Sequence, residues 1–186
     1  MKSLCIHIVA LILLSCFCFA SPTKVNSSED ASEPKLVVQE GHNDKVNFVK
    51  YSKDGKFIFS AANYQVKIWN ADTGYLIKTI VLPVSQMSIP IDFSPDGTYF
   101  VYADKQNLVK YTIATDEQTT LDSLKRKPSC ISFSADGHYL AVDAYNHIQI
   151  YNAQSFTKGS SFQYENLISY RKILFSEDST YIIAIT

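Results

Sequence analysis

The stretch FSPDGTYF, residues 93–100, decides the fold, because the chain carries four related copies of it. The other copies read YSKDGKFI from Tyr51, FSADGHYL from Phe133 and FSEDSTYI from Phe175. The shared Asp recurs at intervals of 42, 40 and 42 residues, at Asp54, Asp96, Asp136 and Asp178. A fixed period of this length, held over most of the chain, is typical of a protein built from stacked structural repeats.

Apolar residues alternate with polar ones inside each repeat, which is the period of a β-strand with one buried face. Several such runs follow one another in each unit, and no segment of the repeats has a helical period. We therefore predict an all-β protein whose units each contain four short antiparallel strands. The units span about residues 41–82, 83–124, 125–166 and 167–186, and the last of them is truncated.

The repeated Asp residues lie in the loop between the first two strands of each unit. Asp followed by Gly favours a tight hairpin turn, because the carboxylate accepts backbone N–H groups and Gly adopts positive φ. No calcium-loop pattern surrounds them, and equivalent positions on successive units do not form a catalytic pair. We interpret these residues as structural: Asp54, Gly55, Asp96, Gly97, Asp136, Gly137 and Asp178. In the fourth copy Ser179 replaces the Gly.

These repeats resemble the WD-repeat β-propeller family, most clearly in the first unit. Gly41-His42 opens that unit, and the run VKIWN containing Trp69 matches the family's third strand, which ends in Trp-Asp. In the later units Tyr111 and Tyr151 stand in place of the Trp. The resemblance implies blades of four antiparallel strands arranged around a central axis.

The resemblance also implies a structural hydrogen-bond network inside the first blade. In the family this network joins His, Asp, Ser and Trp, and His42 and Trp69 of this chain fit two of its positions. Asn63 stands at the Asp position, six residues before Trp69, and Ser60 stands one residue out of register. We therefore expect a partial network in the first unit and none in the later units.

The propeller-like segment, residues 35–186, contains about three and a half repeats, fewer than most rings need. It is therefore expected to form an incomplete ring, and three explanations compete. The chain is part of a longer propeller with missing C-terminal blades, or a homo-oligomer completes the ring. Alternatively, a small four-bladed ring closes with KLVVQ, residues 35–39.

The N-terminus has a different character from the repeats. Residues 1–20 place Lys2 before an apolar run that ends at Ala20, the order of a secretory signal peptide. Residues 21–34 are rich in Ser, Pro and acids, which predicts a flexible linker, and Asn26 is a possible N-glycosylation site. A secreted or periplasmic protein is expected, with membrane anchoring by the uncleaved segment or a lipidated Cys16 as alternatives.

Composition excludes several classes of function. The net charge of −1 gives no basis for binding nucleic acid, and beyond the N-terminal segment nothing predicts a membrane association. After removal of residues 1–20 the chain has three His and one Cys, without a metal or nucleophile motif. We expect no cofactor, no metal and no catalytic residue.

The predicted function is therefore an exported, non-catalytic scaffold that binds a protein partner. By resemblance, partners dock on the loops at one end of the blades. The candidate residues in these loops are His42, Asn43, Asp44, Asn63, Tyr64, Gln86, Met87, Lys105, Gln106, Lys125, Arg126, Lys127, Tyr145 and Asn146. The alternative is an exported propeller that binds or hydrolyses a small ligand or glycan in its central channel. The starts of the innermost strands favour the scaffold instead, because they predict a channel that is apolar or merely wet.

Overall fold

The computed structural model describes residues 40–84, 89–163 and 170–185. Every regular element in these ranges is a β-strand, and none is a helix. The strands are β1 Phe48–Tyr51, β2 Phe57–Ala62, β3 Gln65–Asn70, β4 Leu76–Val81, β5 Ile91–Phe93, β6 Tyr99–Asp104, β7 Asn107–Thr112, β8 Gln118–Ser123, β9 Ile131–Phe133, β10 Tyr139–Asp143, β11 His147–Asn152, β12 Lys158–Gln163, β13 Lys172–Phe175 and β14 Ile182–Ile185.

The strands form separate antiparallel sheets in chain order. Blade 1 contains β1–β4, blade 2 β5–β8 and blade 3 β9–β12, and blade 4 is the pair β13–β14. Within the described residues no sheet closes on itself, and each blade begins with a strand that is paired on one side only. The prediction of all-β, four-stranded antiparallel blades in an incomplete ring is confirmed.

The alternation of side chains along β6 explains why the blades stack. Phe100 and Tyr102 point into the apolar cluster shared with blade 1, whereas Val101 and Ala103 point into the cluster shared with blade 3. All four side chains are fully buried. A strand with both faces apolar must be covered on both sides, so blade 2 packs between its neighbours.

Aromatic rings stack within the cluster between blades 1 and 2. Phe59 of blade 1 stacks on Phe93 of blade 2 with ring centroids 4.1 Å apart. On the same blade, Phe100 stacks on Tyr111 at 4.8 Å. Such ring pairs contribute about 1 kcal/mol each beyond the apolar area that they bury, so they fix how the two sheets face each other.

The four Asp-containing turns share one geometry. In each of them a Ser hydroxyl donates to the Asp carboxylate two residues later, at distances between 2.5 and 2.7 Å. The same Ser oxygen accepts the backbone N–H five residues further on, which closes the hairpin. Although burial raises the pKa of each Asp, the Ser hydroxyl and the backbone N–H two residues after the Asp hold it below its ordinary value: Asp54, Asp96, Asp136 and Asp178.

The residue after each turn Asp has positive φ in all four copies. Gly occupies this position in blades 1 to 3, and Ser179 adopts φ 62° in blade 4. A Ser with positive φ costs about 1 kcal/mol or more. Its hydroxyl accepts the backbone N–H of Asp136 at 3.2 Å and so links the turns of blades 3 and 4, an interaction that Gly would not make.

A buried carboxylate in β5 connects three blades. Asp92 pairs with Lys50 of blade 1 at 2.7 Å and accepts the backbone N–H of Phe133 of blade 3, also at 2.7 Å. It further accepts the N–H of Phe93 at 2.8 Å. Burial raises the pKa of Asp92, while Lys50 and the two N–H groups oppose that rise.

We expect Lys50→Met to destabilise the protein more than Asp92→Asn does. Lys50→Met leaves the buried carboxylate of Asp92 without its cation, which costs about 3 kcal/mol. In Asp92→Asn the remaining ammonium of Lys50 can reach water, because this side chain is one-third exposed. Urea unfolding of both single variants and the double variant measures the coupling. Because the folded-state pKa of Asp92 is raised, the stability deficit of Lys50→Met should shrink as the pH falls. Additive single effects would contradict a direct pair.

Candidate functional site

The loops of the blades divide into two sets by position. Consecutive strands are antiparallel, so the β2–β3, β6–β7 and β10–β11 turns lie at one end of the blades, together with the β4–β5 and β8–β9 connections. We call this end the upper edge. The four Asp-containing turns and the β3–β4, β7–β8 and β11–β12 turns lie at the opposite end, the lower edge. The candidate docking residues between Asn63 and Asn146 that the structure describes belong to the upper edge, and His42, Asn43 and Asp44 precede β1, which starts at the same end.

Three of the candidate residues occupy equivalent backbone positions. Asn63, Lys105 and Tyr145 each follow the second strand of their blade and have φ values of 49°, 55° and 79°. A positive φ is uncommon for residues other than Gly, and for bulky side chains it indicates a tightly constrained turn. The three side chains therefore stand at fixed places on the rigid ends of the strands.

Hydrogen bonds join the upper-edge loops of blades 2 and 3. The N–H of Leu124 donates to the carbonyl of Gln106 at 2.8 Å, which links the β6–β7 turn to the β8–β9 loop. Arg126 then donates to the carbonyl of Tyr145 at 3.1 Å, and its guanidinium lies 5.4 Å from the Tyr145 ring centroid. These contacts unite three loops into one surface.

Arg126 also serves an internal carboxylate. Its guanidinium lies 3.4 Å from Asp143, which is fully buried and also accepts the hydroxyl of Ser129. The exposed cations of this surface are its neighbours Lys125 and Lys127, together with Lys105. Arg126 thus holds the loop in place, whereas the lysines face solvent.

The blade 1 network contains three of the four expected side chains. Ser60 joins the other two, since its Oγ lies 2.7 Å from His42 Nε2 and accepts Trp69 Nε1 at 2.8 Å. The expectation that Ser60 is out of register is wrong, because the β2–β3 pairing places Ser60 opposite Lys67 and two residue pairs from Trp69. Burial and the nearby Lys67 lower the pKa of His42.

The fourth position leaves a defect. His42 Nδ1 is buried without a hydrogen-bond partner, and no hydrogen bond connects it to Asn63. An unsatisfied buried polar atom costs about 1–3 kcal/mol. The His–Ser–Trp connection is therefore intact while the side chain that should orient the imidazole from its other side makes no contact.

Blades 2 and 3 replace this network with tyrosine–aspartate pairs. Tyr111 donates to Asp116 of its own blade at 2.6 Å. Tyr151 of blade 3 donates to Asp122 of blade 2, also at 2.6 Å, and Asp122 pairs with Lys158 at 2.8 Å. Tyr151 therefore joins two blades, which the Trp69 network of blade 1 does not do.

A cleft of about 760 Å³ lies along the innermost strands β1, β5, β9 and β13. Contrary to the expectation of an apolar or merely wet channel, Lys50 and Asp92 place an ion pair on its wall. The sequence contains a signal for this pair, since the residues four positions before the repeated Asp include Lys50 in the first unit and Asp92 in the second. Within the described part of the chain no three His, Cys, Asp or Glu side chains form a group that could hold a metal.

A second cleft, of about 530 Å³, lies at the lower edge between blades 2 and 3. Its wall includes Lys110, whose ammonium lies 4.4 Å from the ring centroid of Tyr99. Phe156 packs beside them with an unusual φ of 55°. Tyr99 and Phe156 pack edge to face with ring centroids 6.0 Å apart, so these aromatic side chains join blade 3 to blade 2.

Several predictions concern residues outside the described ranges. These are the signal peptide at 1–20, the linker at 21–34, Asn26, Cys16, the closing segment at 35–39, Gln86 and Met87. Among the described residues, no helix has the length and apolar character needed to cross a membrane.

Comparison with known proteins points to one family. Residues 33–70 match the model of the WD domain, G-beta repeat. The chain is 28% identical to the periodic tryptophan protein 2 homolog of Dictyostelium discoideum over 64% of its own length and 14% of that protein. It is 26% identical to pre-mRNA-processing factor 19 homolog 2 of Arabidopsis thaliana, over 60% of its own length and 22% of that protein. It is 31% identical to eukaryotic translation initiation factor 3 subunit I of Vanderwaltozyma polyspora, over 55% of its own length and 29% of that protein.

The antiparallel blades, the blade 1 network and these matches define a repeat protein of the β-propeller class. Residues 33–70 are a WD repeat, and the chain as a whole is similar to WD-repeat proteins. Its matched regions span less than a third of the length of these curated relatives.

The prediction of a secreted, periplasmic, membrane-anchored or lipidated protein is wrong. Two of the relatives are named for pre-mRNA processing and translation initiation, which take place inside the cell. The similarity therefore points away from export. The expectation of export rested on the hydropathy and charge order of residues 1–20 alone.

We expect Asn63→Asp to complete the blade 1 network. A carboxylate at this turn would accept a hydrogen bond from His42 Nδ1, raise the pKa of His42 and add about 1 kcal/mol of stability. The wild-type pKa of His42 is lowered, so its stability contribution declines as the pH falls below the ordinary value of about 6.5, and Asn63→Asp should reverse that trend.

Histidine titration by NMR and urea unfolding at several pH values measure both effects. Lys105→Asp is the matched control, because it changes the equivalent turn of blade 2, where the apolar Val84 stands at the position of His42. An unchanged His42 pKa in Asn63→Asp would show that the turn does not reach the imidazole.

Proposed function

We propose that this WD-repeat chain is a non-catalytic scaffold that binds protein partners through its upper edge. The observation that supports this proposal most directly is the union of three loops from two blades by the Leu124–Gln106 and Arg126–Tyr145 hydrogen bonds. The family assignment supports the same general role.

The upper edge has the physical properties of a recognition surface. Its turns are short, their backbone angles are constrained, and the strands below them are packed on both faces. Tyr64 and Tyr145 are 45% and 41% exposed, although both are large aromatic side chains. Binding to such a surface costs little conformational entropy, and exposed tyrosines are common anchors at interfaces.

A ligand or substrate in the central cleft is the alternative function. The ion pair on the cleft wall favours it, because charged groups orient small ligands. However, Asp92 already accepts three hydrogen bonds, and Lys50 already donates to Asp92 and to the carbonyl of Phe93. These charges are used inside the fold, so we prefer the scaffold function without catalysis.

We further infer that additional β-structure covers the two end faces of the stack, supplied by further repeats or by a second copy. Val49 and Tyr51 of blade 1 are each 62% exposed, whereas their counterparts Ile91 and Phe93 in blade 2 are 5% and 0% exposed. At the other end Ile183 is 53% exposed. Apolar sheet faces of this kind favour association.

The scaffold proposal predicts position-specific crosslinking. A photoreactive phenylalanine analogue at Tyr64 or Tyr145 should crosslink to proteins in an extract of the source cells, because both sites lie on the upper edge. The same analogue at Tyr75, which is also exposed but lies in the β3–β4 turn of the lower edge, is the matched control. Crosslinks of equal yield from all three positions, resolved by mass spectrometry, would count against upper-edge docking.

The end faces predict self-association of the isolated chain. Sedimentation velocity should show association that Val49→Glu and Ile183→Glu weaken, because each places a charge on an apolar face. Tyr64→Glu, an exposed position outside both faces, should leave it unchanged. A discrete dimer favours a second copy, and open-ended association favours further repeats. A single monomeric species at high concentration would contradict the inference.

A further inference from the structure

A shallow groove opens at the upper edge between blades 1 and 2. Its volume is about 440 Å³, and Tyr64, Leu82, Pro83, Val84, Asp104 and Lys105 line it. Leu82 and Val84 are buried and form an apolar floor, and Tyr64 stands exposed at the rim. A groove of this size holds one apolar side chain of a partner, not a whole helix or sheet.

A basic ridge continues from the groove across blade 3. It comprises Lys105, Lys125, Arg126 and Lys127, which the Leu124–Gln106 hydrogen bond brings onto one surface. Lys105 and Lys125 are exposed and make no ion pair within the described part of the chain. Lys105 and Lys125 therefore present positive charge without an ion-pair partner beside an apolar groove.

Carboxylates near the ridge do not cancel this charge. Asp143 is fully buried beneath Arg126, and Asp104 is the half-buried acid at the end of β6. The lower edge, by contrast, carries the four repeated Asp residues. Negative charge is thus concentrated at the end of the blades opposite to Lys105 and Lys125, although Lys53 and Lys56 lie at that end too.

We propose that the groove and the basic ridge together bind an acidic peptide segment that inserts one apolar side chain. This proposal rests on the scaffold function and specifies the chemistry of its partner. Opposite charge steers an acidic segment towards the upper edge and away from the lower edge. The groove then supplies the apolar contact that pure charge attraction lacks, because burial of one side chain fixes the register of the peptide.

A peptide fits these observations better than a nucleic acid. Nucleic-acid affinity comes from many phosphate contacts, whereas the ridge offers few lysines that are free of internal contacts. The acidic lower edge would also repel a long polyanion.

Fluorescence anisotropy with a short labelled peptide, which has Glu residues on both sides of one Leu, tests the proposal. The full chain should bind this peptide at about 50 mM salt. It should bind the same peptide with Gln in place of Glu at least about tenfold more weakly. Lys105→Glu/Lys125→Glu should weaken binding at least about tenfold. Lys53→Glu/Lys56→Glu makes the same charge change at the lower edge and should alter binding by less than about twofold.

The groove has its own test. Tyr64→Ala should weaken binding of the Leu peptide by about fivefold and leave a peptide with Ala at that position unaffected, because only the Leu side chain fills the groove. Circular dichroism and urea unfolding establish that each variant is folded. Loss of binding in the Lys53/Lys56 control equal to that in the Lys105/Lys125 variant would overturn the proposal.

Two further outcomes would overturn it in distinguishable ways. Binding of an oligouridylate RNA, with no binding of the Glu peptide, would assign the ridge to nucleic acid. Crosslinking of proteins at Tyr64 and Tyr145 without any binding of the Glu peptide would leave the scaffold function standing and refute the acidic partner class. Failure of both the crosslinking and the peptide binding would refute the two proposals together.

Discussion

The stacking of the blades depends on one buried carboxylate. Asp92 lies on the innermost strand of blade 2, where it binds Lys50 of blade 1 and a backbone N–H of blade 3. Apolar packing between the sheets, including the Phe59–Phe93 stack, holds their faces together, but it is not directional. A buried charge permits no shift, because any displacement would leave it without partners in a medium of low polarity. Asp92 therefore fixes the register of three blades around the axis.

Around this constraint, each blade solves its internal hydrogen bonding differently. Blade 1 uses His42, Ser60 and Trp69 and leaves one imidazole nitrogen unsatisfied. In blades 2 and 3 tyrosine hydroxyls donate to aspartates, and Tyr151 reaches the neighbouring blade to do so. The upper-edge loops are anchored to this interior, since Leu82, Val84 and Leu124 of the connecting loops belong to the apolar clusters between the blades.

The sequence predicted the fold better than the site, for physical reasons. The alternation of apolar residues and the recurring Asp turns are local properties, so blade structure could be inferred before any coordinates. Ser60 was misjudged because its role depends on which residue it opposes across β2 and β3, which a linear count does not reveal. Asp92 was missed because a single acid in an apolar strand has meaning only beside its partners. The expectation of export failed because it relied on the hydropathy of one terminal segment.

The sequence by itself determined the repeat, the strand pattern, the tight turns and the family. Each of these follows from residue spacing and from the backbone preferences of neighbouring residues. Only the tertiary structure decided that Lys50 and Asp92 meet, that the loops of blades 2 and 3 form one basic surface, and that a groove opens beside Tyr64. These features join residues from different repeats, about 40 positions apart, and the stacking of whole blades brings them together.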